Sequence, residues 1–276
     1  MNLETNIVIE LIEPVNLYSK YQITSKTKVK PIEPLLFIDE SLVLTKGNIS
    51  VVGGAAKSRK TYFVCAIINA MYTGNWEAIM TGGCKKIAVF DTEQYDADVK
   101  RIYERINKMN KCNDSIDIFS LRGRECDEMY EVIDNYIMST DTEFIVIDGI
   151  ADLMKDPNSI EESTKIRNWL MNRTQERNIH ILCCLHVNYD SPKLRGHLGS
   201  ELERKCEHSF LLTKEGEKTV VKGKLCRRKE YRDFSFFIHD DAPVSDSEMP
   251  FKIKELKPIE NFIPSYYEKE NDGMPF

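Results

Sequence analysis

The sequence predicts an α/β protein with a mostly parallel sheet and helices on both faces. From Ile49 onward, short apolar segments of strand length alternate with longer segments whose apolar residues recur at helical spacing. This alternation is typical of parallel strands buried beneath crossover helices. After about residue 207 the strand-like segments follow one another without helices. We therefore expect antiparallel strands to extend one edge of the sheet.

The strands are predicted from runs of apolar residues in the order of the chain. Those of the parallel part are ISVV (49–52), IAVFD (87–91), IDIFSL (116–121), FIVIDG (144–149) and IHILCCLH (179–186). Those of the antiparallel part are SFLLTK (209–214), KTVVKGKL (218–225) and DFSFFIH (233–239). Helices are predicted after the first strand and around residues 99–109, 129–137 and 166–170.

Composition limits the classes of protein that fit. The 276 residues are 42% hydrophobic, enough for a sizeable core, and the net charge of -6 excludes a generally basic protein that coats nucleic acid. The eight cysteines form no C-x-x-C pair, and the chain begins without a secretory apolar segment. No apolar run approaches the roughly 20 residues of a membrane span. We expect a cytoplasmic protein with no membrane partner.

The chain divides into three parts. Residues 1–37, which contain NIVIELI and then TSKTKVKPIEP, are predicted to be an N-terminal arm or linker. Residues 38–256 carry the α/β pattern and form the expected main domain. Residues 257–276 are predicted to be a flexible acidic tail.

A phosphate-binding loop is indicated at GGAAKSRKTY (53–62), between the first predicted strand and helix. The pattern G-x-x-x-x-G-K-[ST] fits from Gly54 to Thr61, except that Arg59 stands where the second glycine belongs. Backbone amides of such a loop surround phosphates, the lysine adds charge, and the Ser/Thr hydroxyl binds Mg²⁺. The cofactors predicted are ATP and Mg²⁺; a chance basic turn is the alternative. The predicted nucleotide ligands are Gly54, Ala55, Ala56, Lys57, Ser58, Arg59, Lys60 and Thr61.

Arg59 is the departure from the loop pattern. If its position requires a positive φ, a residue other than glycine costs on the order of 1 kcal/mol there. Its charge could offset this cost, because Lys57, Arg59 and Lys60 together place three cations beside a triphosphate.

Two carboxylates follow predicted strands and should face the same edge of the sheet. Asp148 ends FIVIDG and is predicted, with Thr61, to hold the metal. Glu93 follows IAVFD and is predicted to orient and deprotonate the attacking water. The alternative for Glu93 is the start of a helix, where Asp and Thr are favoured caps.

The combination of GGAAKSRKT, DTE, FIVIDG, LHVN and RGHLGSEL resembles the RecA-like P-loop ATPases, and in particular the RepA-type group of plasmid and mobile-element replication proteins. The resemblance covers about residues 38–240. It implies that Glu93 is the catalytic base and that His186, at the end of the fourth strand, senses the γ-phosphate. A strand-end histidine with a structural role is the alternative for His186.

The resemblance also implies a homo-oligomeric ring, usually a hexamer, with ATP bound between subunits. A neighbouring subunit would then supply an arginine that stabilises the transition state. In KGKLCRRKEYR the candidate is Arg227, with Lys224 and Arg228 as alternates. The Lys-x-Arg spacing usual in the family is absent here.

Two loops would face the pore of such a ring. The first, residues 151–164, is acidic; the second, residues 188–200, carries Lys193, Arg195 and His197, with two glycines for flexibility. Repeated by symmetry, these basic residues could bind single-stranded DNA. An ordinary solvated loop is the alternative.

The C-terminal YYEKENDGMPF resembles the acidic tails of bacterial single-stranded-DNA-binding proteins. That likeness implies docking of the Pro275–Phe276 end on replication proteins, against the alternative of an ordinary flexible end. Together the motifs predict a helicase-like ATPase motor on single-stranded DNA, in replication or mobilisation of a mobile element. The alternatives are a nucleotide-gated scaffold and, less well matched to DTE and LHVN, a small-molecule kinase.

Overall fold

The computed structural model describes residues 18–84, 86–110 and 116–245. The chain forms two compact units, Met1–Ile32 and Glu33–Phe276. The described part of the first unit contains a 3-10 turn at Ser19–Tyr21. NIVIELI and the predicted tail with Pro275 and Phe276 lie outside the described residues.

The second unit contains all the longer helices and strands that are described. Its strands are β1 (Pro34–Ile38), β2 (Ser41–Thr45), β3 (Ile49–Gly54), β4 (Asn75–Trp76), β5 (Ile79–Thr81), β6 (Ile87–Asp91), β7 (Ile116–Ser120), β8 (Phe144–Asp148), β9 (His180–His186), β10 (His208–Glu215), β11 (Lys218–Cys226), β12 (Phe234–His239) and β13 (Ala242–Ser245). Its helices are α1 (Lys60–Thr73), α2 (Asp96–Asn110), α3 (Cys126–Ser139), α4 (Ile160–Arg177) and α5 (Gly196–Lys205), with a 3-10 turn at Ile150–Leu153.

The main sheet has nine strands in the order β13-β12-β11-β10-β3-β9-β8-β6-β7. Neighbouring strands from β10 across to β7 are parallel. Strands β10 to β13 pair antiparallel with one another at the other end. The predicted α/β class, with antiparallel strands added at one edge, is therefore confirmed.

Helices cover both faces of this sheet, as predicted. Buried residues of α1 and α2 form one apolar cluster with one face of the strands, and those of α3, α4 and α5 form a second cluster with the other face. Alternate residues of a strand serve opposite clusters, as Val146 and Ile147 of β8 illustrate. Both faces are apolar because both are buried.

A second sheet, with the strand order β2-β1-β5-β4, was not predicted. Its strands pair antiparallel, and Leu36, Leu44 and Ile79 are buried in the same cluster as α1. The boundary expected between residues 37 and 38 falls inside β1, so ordered structure begins earlier than the predicted main domain.

The two expected pore loops are partly helical, which corrects the prediction for residues 188–200. Helix α5 begins at Gly196, and Leu198 and Leu202 are buried beneath it. Gly199 is buried as well, and a Cβ there would lie 2.6 Å from the backbone carbon of Leu194. Gly199 therefore permits close packing of helix on loop and does not supply flexibility. The acidic segment 151–164 likewise ends in the first turn of α4.

Within residues 18–84, 86–110 and 116–245, no helix is both long and apolar enough to cross a membrane. The cysteines in these ranges are all free thiols.

Candidate nucleotide-binding site

The predicted phosphate loop joins β3 to α1 at the carboxyl edge of the parallel strands. Gly54, the last residue of β3, lies between His186 of β9 and Leu212 of β10. Helix α1 starts at Lys60, so its free amides point toward the loop. This strand-loop-helix arrangement presents an anion site at the edge where ligands bind in open α/β sheets.

Arg59 adopts the left-handed conformation, with φ 68° and ψ 31°. The position therefore has the backbone that favours glycine, as the loop pattern predicts, at a cost of about 1 kcal/mol for arginine. The guanidinium donates to the backbone oxygen of Glu217, in the turn between β10 and β11, and lies 3.8 Å from the Glu217 carboxylate. Arg59 thus faces the hairpin turn, which differs from the three-cation arrangement expected from the sequence.

The loop is tightly closed around Gly54 and Ser58. A Cβ on Gly54 would lie 2.3 Å from Ser58 Oγ and 3.0 Å from the Leu212 carbonyl oxygen. The buried Ser58 hydroxyl has no hydrogen-bond partner within the described residues. A phosphate oxygen would supply the missing acceptor, so this loop fits a bound nucleotide.

The proposed metal ligands are in contact with each other. Thr61 Oγ1 donates to Asp148 Oδ2 over 2.8 Å. Asp148 is buried at the end of β8, and this burial raises the pKa of its carboxyl, opposed by the hydrogen bond from Thr61. Described His, Cys, Asp and Glu side chains form no metal-binding group of three or more. Mg²⁺ in nucleotide sites commonly takes one or two carboxylates plus phosphate oxygens and water, and Thr61 with Asp148 fits the protein's share of that set.

Lys60, His186 and Glu93 form a chain across the site. Lys60 Nζ lies 3.2 Å from His186 Nδ1, and His186 Nε2 lies 3.5 Å from Glu93 Oε1. An ammonium only donates, so Nδ1 accepts and Nε2 carries the hydrogen directed at Glu93. The interaction with His186 lowers the pKa of Glu93. Glu93 is therefore ionised at neutral pH, as a general base must be.

Asp91 supports Glu93 and was not singled out in the sequence. Its carboxylate accepts from the backbone amides of Glu93 (3.1 Å) and Gln94 (2.7 Å) and from the Gln94 side chain (2.6 Å). Burial raises the pKa of Asp91 to about 6. An Asp at the end of a predicted strand, two residues before the candidate base, was the available signal.

Gly149 makes room for Glu93. A Cβ on Gly149 would lie 2.8 Å from Glu93 Oε1. The Gly149 amide donates to Thr92 Oγ1 over 2.8 Å, which links the strand ends that carry Asp148 and Glu93. The glycine after Asp148 thus lets both carboxylates occupy one edge.

The basic loop, residues 187–195, starts where His186 ends β9. Its ends are joined by the Val187–Leu194 bridge, and the Arg195 amide donates to the His186 carbonyl over 2.8 Å. The side chains of Lys193, Arg195 and, just beyond, His197 are exposed. These three predicted DNA ligands therefore share one surface that is connected by backbone to His186.

Arg227 lies far from the phosphate loop of its own chain. It follows Cys226, which pairs with His208, and His208 pairs with Ser50 at the amino end of β3. Four residues of strand, about 13 Å, separate Ser50 from Gly54 along β3. Within one chain, the structure does not bring Arg227 to the other predicted catalytic residues.

The three candidate trans cations differ in their partners. Lys224 forms an ion pair with Glu203, and Arg228 with the fully buried Glu207 at 3.0 Å. Arg227 is exposed and contacts neutral groups, donating to Asn48 Oδ1 over 3.0 Å. Arg227 is therefore the least committed of the three.

The comparisons with known proteins give a structural likeness. No protein-family model matches the chain, and no curated protein matches its sequence. Among solved structures, the ATPase domain of a replicative helicase matches with a TM-score of 0.54 and 12% identity, over 73% of this chain and 86% of that one. The likeness is one of fold, and it agrees with the predicted RecA-like architecture.

Proposed function

We propose that the chain is a Mg²⁺-dependent ATPase of the RecA-like P-loop class, of the RepA-type group, that assembles into a homo-oligomeric ring, most simply a hexamer, and acts on single-stranded DNA. One observation carries the ATPase assignment. Five side chains from four separate segments meet at one edge of the sheet, each suited to a step of phosphoryl transfer: Lys60, Thr61, Glu93, Asp148 and His186.

Each residue has a role that follows from its position. The loop amides, Ser58 and Lys60 bind the phosphates, and Thr61 with Asp148 holds Mg²⁺, which offsets charge that develops on the phosphoryl oxygens. Glu93 takes the proton of the water that attacks the γ-phosphorus as the bond to ADP breaks. His186 leaves Lys60 and Glu93 for the γ-phosphate, which frees Glu93 for the water.

A ring is supported by the position of Arg227. At the amino edge of the sheet it is remote from its own site but exposed to a neighbouring copy. We propose that it completes the neighbour's site, where such an arginine accelerates hydrolysis by several powers of ten.

Action on single-stranded DNA is supported by the basic loop. Lys193, Arg195 and His197 are exposed, and the loop is tied to His186, whose position would depend on the γ-phosphate. A cytoplasmic location, a role in replication or mobilisation of an element, and docking of the tail on replication proteins belong to the same proposal.

The test is hydrolysis of ATP with and without single-stranded DNA by the native chain and by Lys60→Ala. We expect DNA to stimulate the native chain and Lys60→Ala to abolish turnover in both conditions. Hydrolysis without any response to DNA would leave an ATPase and remove the motor. Equal turnover by Lys60→Ala would reject the site.

A nucleotide-gated scaffold is the second candidate, and two contacts favour it. Arg59 is held by Glu217, and Glu93 is occupied by His186. Both would slow turnover if nucleotide binding left them intact. Tight ATP binding with negligible hydrolysis, with and without DNA, would identify the scaffold.

A further inference from the structure

Tyr189 is the outermost side chain of the basic loop, and it is fully exposed. Removing aromatic surface from water is favourable, so a fully exposed ring at a loop tip is available to a partner. Among residues 187–195, all of which the structure describes, Tyr189 is the one large hydrophobic side chain that is exposed. A protein partner that bound mainly through apolar contacts would need a larger apolar patch around it.

The backbone beneath Tyr189 is fixed. The Asn188 amide donates to the Lys193 carbonyl over 2.8 Å, and the Val187 amide donates to the Gly54 carbonyl over 3.3 Å. From β11, Lys224 Nζ donates to the Pro192 carbonyl over 2.7 Å. These bonds hold both ends of the short loop, so a ligand that binds the ring finds the backbone largely ordered.

The charges around the ring are asymmetric. Lys193 and Arg195 are exposed on the return strand of the loop, whereas Asp190 is adjacent to Tyr189 in the chain. A sugar-phosphate backbone would therefore follow the side of Lys193 and Arg195. The base would then lie toward Tyr189. Aromatic rings with adjacent cations form the usual site for unpaired nucleotides.

We infer that Tyr189 is a base-stacking residue for single-stranded DNA, with Lys193 and Arg195 as the ligands of the adjacent phosphates. This inference rests on the proposed function, which names DNA but gives no contact to a base. Stacking of this kind is tolerant of sequence, because every base offers a π face. It predicts binding that depends on the presence of bases as well as on charge.

The experiment is equilibrium binding of the full chain, with ATP and Mg²⁺, to a labelled DNA oligomer and to an abasic oligomer of the same length. We expect Tyr189→Ala to weaken binding to normal DNA by about 5- to 100-fold, while Tyr189→Phe, which keeps the ring, stays near native. The native chain should bind abasic DNA about as weakly as Tyr189→Ala binds normal DNA. For Tyr189→Ala the two oligomers should be equivalent.

Lys193→Ala is the matched control, because it removes a phosphate contact from the same loop. It should reduce the slope of log affinity against log salt by about one, whereas Tyr189→Ala should leave that slope unchanged. Unchanged thermal melting of both variants would exclude unfolding as the cause.

The outcomes separate this inference from the function on which it rests. If the native chain binds DNA and Tyr189→Ala binds it equally well, base stacking is overturned and the proposed function stands. If the native chain binds no DNA in any nucleotide state, the DNA part of the proposed function fails as well. Tighter binding of RNA of the same sequence would overturn the assignment to DNA.

Discussion

Arg59 marks how far a motif can specify a site. The loop pattern predicts the left-handed backbone at this position, and the structure has it. Its guanidinium partner was not predictable, because Glu217 is 158 residues away in the chain. The pattern fixes the backbone of the loop, whereas long-range folding decides what the extra side chain contacts.

Restoring glycine at position 59 should leave ATP affinity within about tenfold of native. The guanidinium contacts Glu217, and an ion pair with an exposed carboxylate contributes less than about 1 kcal/mol. Glycine also removes the strain of the left-handed backbone. Isothermal titration with ATP and Mg²⁺ measures the effect.

Glu217→Ala is the control for this change, because it removes the carboxylate but keeps the carbonyl that Arg59 contacts. A loss of affinity much larger than tenfold in Arg59→Gly alone would mean that Arg59 binds phosphate after all. A large rise in turnover with unchanged affinity would mean that Arg59 keeps hydrolysis slow.

Asp91 gives a prediction in pH. Burial raises the pKa of Asp91 to about 6 from the ordinary value of 3.8, so the native state binds the extra proton between these values. Stability from this group is therefore lost as pH rises from about 4 to 7. Asp91→Asn cannot lose a proton, so its unfolding free energy relative to native should increase by up to roughly 3 kcal/mol over that range.

Chemical denaturation at about pH 4.5 and about pH 7, either side of the raised pKa, measures this difference. Asp98→Asn, which changes a carboxyl on an exposed part of α2, is the control and should show little of it. A constant difference between Asp91→Asn and the native chain across this range would contradict a raised pKa.

At the scale of elements, the regular α/β core was predictable and its exceptions were not. Strands such as Phe144–Asp148 are continuous apolar runs, because both faces are buried. The β2-β1-β5-β4 sheet gave no clear pattern because two of its strands have only two and three residues. Helix α5 gave none because its two glycines weaken helix propensity, and burial of Leu198 and Leu202 overrides it.

Gly199→Ala should lower the melting temperature. The added Cβ would lie 2.6 Å from the Leu194 backbone, and forcing extra volume into a packed site costs about 1–3 kcal/mol. In a chain of this size that corresponds to a fall of about 2–10 °C. Gly82→Ala, whose Cβ would lie 3.5 Å from its nearest neighbour, is the matched control. Equal melting of the two variants would return Gly199 to a role in flexibility.

At the scale of the whole molecule, the site residues predicted from sequence divide into two groups. Lys60, Thr61, Glu93, Asp148 and His186 meet because parallel strands end at one edge, which the alternation of strands and helices predicts. Arg227 does not join them, and its role depends on a second copy of the chain. Assembly cannot be derived from the contacts of one subunit.

Mixing two inactive variants tests the shared site. Lys60→Ala removes a phosphate contact, and Arg227→Ala removes the proposed trans contact. In a mixed ring, a site with an intact Lys60 can face a neighbour with an intact Arg227, so activity should return at about one quarter of the native sites for equal amounts. Mixtures as inactive as the separate variants would contradict an arginine supplied in trans.

The central claim is that Glu93 activates water in a Mg²⁺-ATP site formed by the loop and Asp148. The most direct measurement is ATP affinity together with single-turnover hydrolysis for the native chain and Glu93→Gln, with Lys60→Ala as the binding control. We predict that Glu93→Gln binds ATP within a few-fold of native, while its rate of hydrolysis falls by about 10²- to 10⁴-fold. Hydrolysis by Glu93→Gln at the native rate would contradict the account.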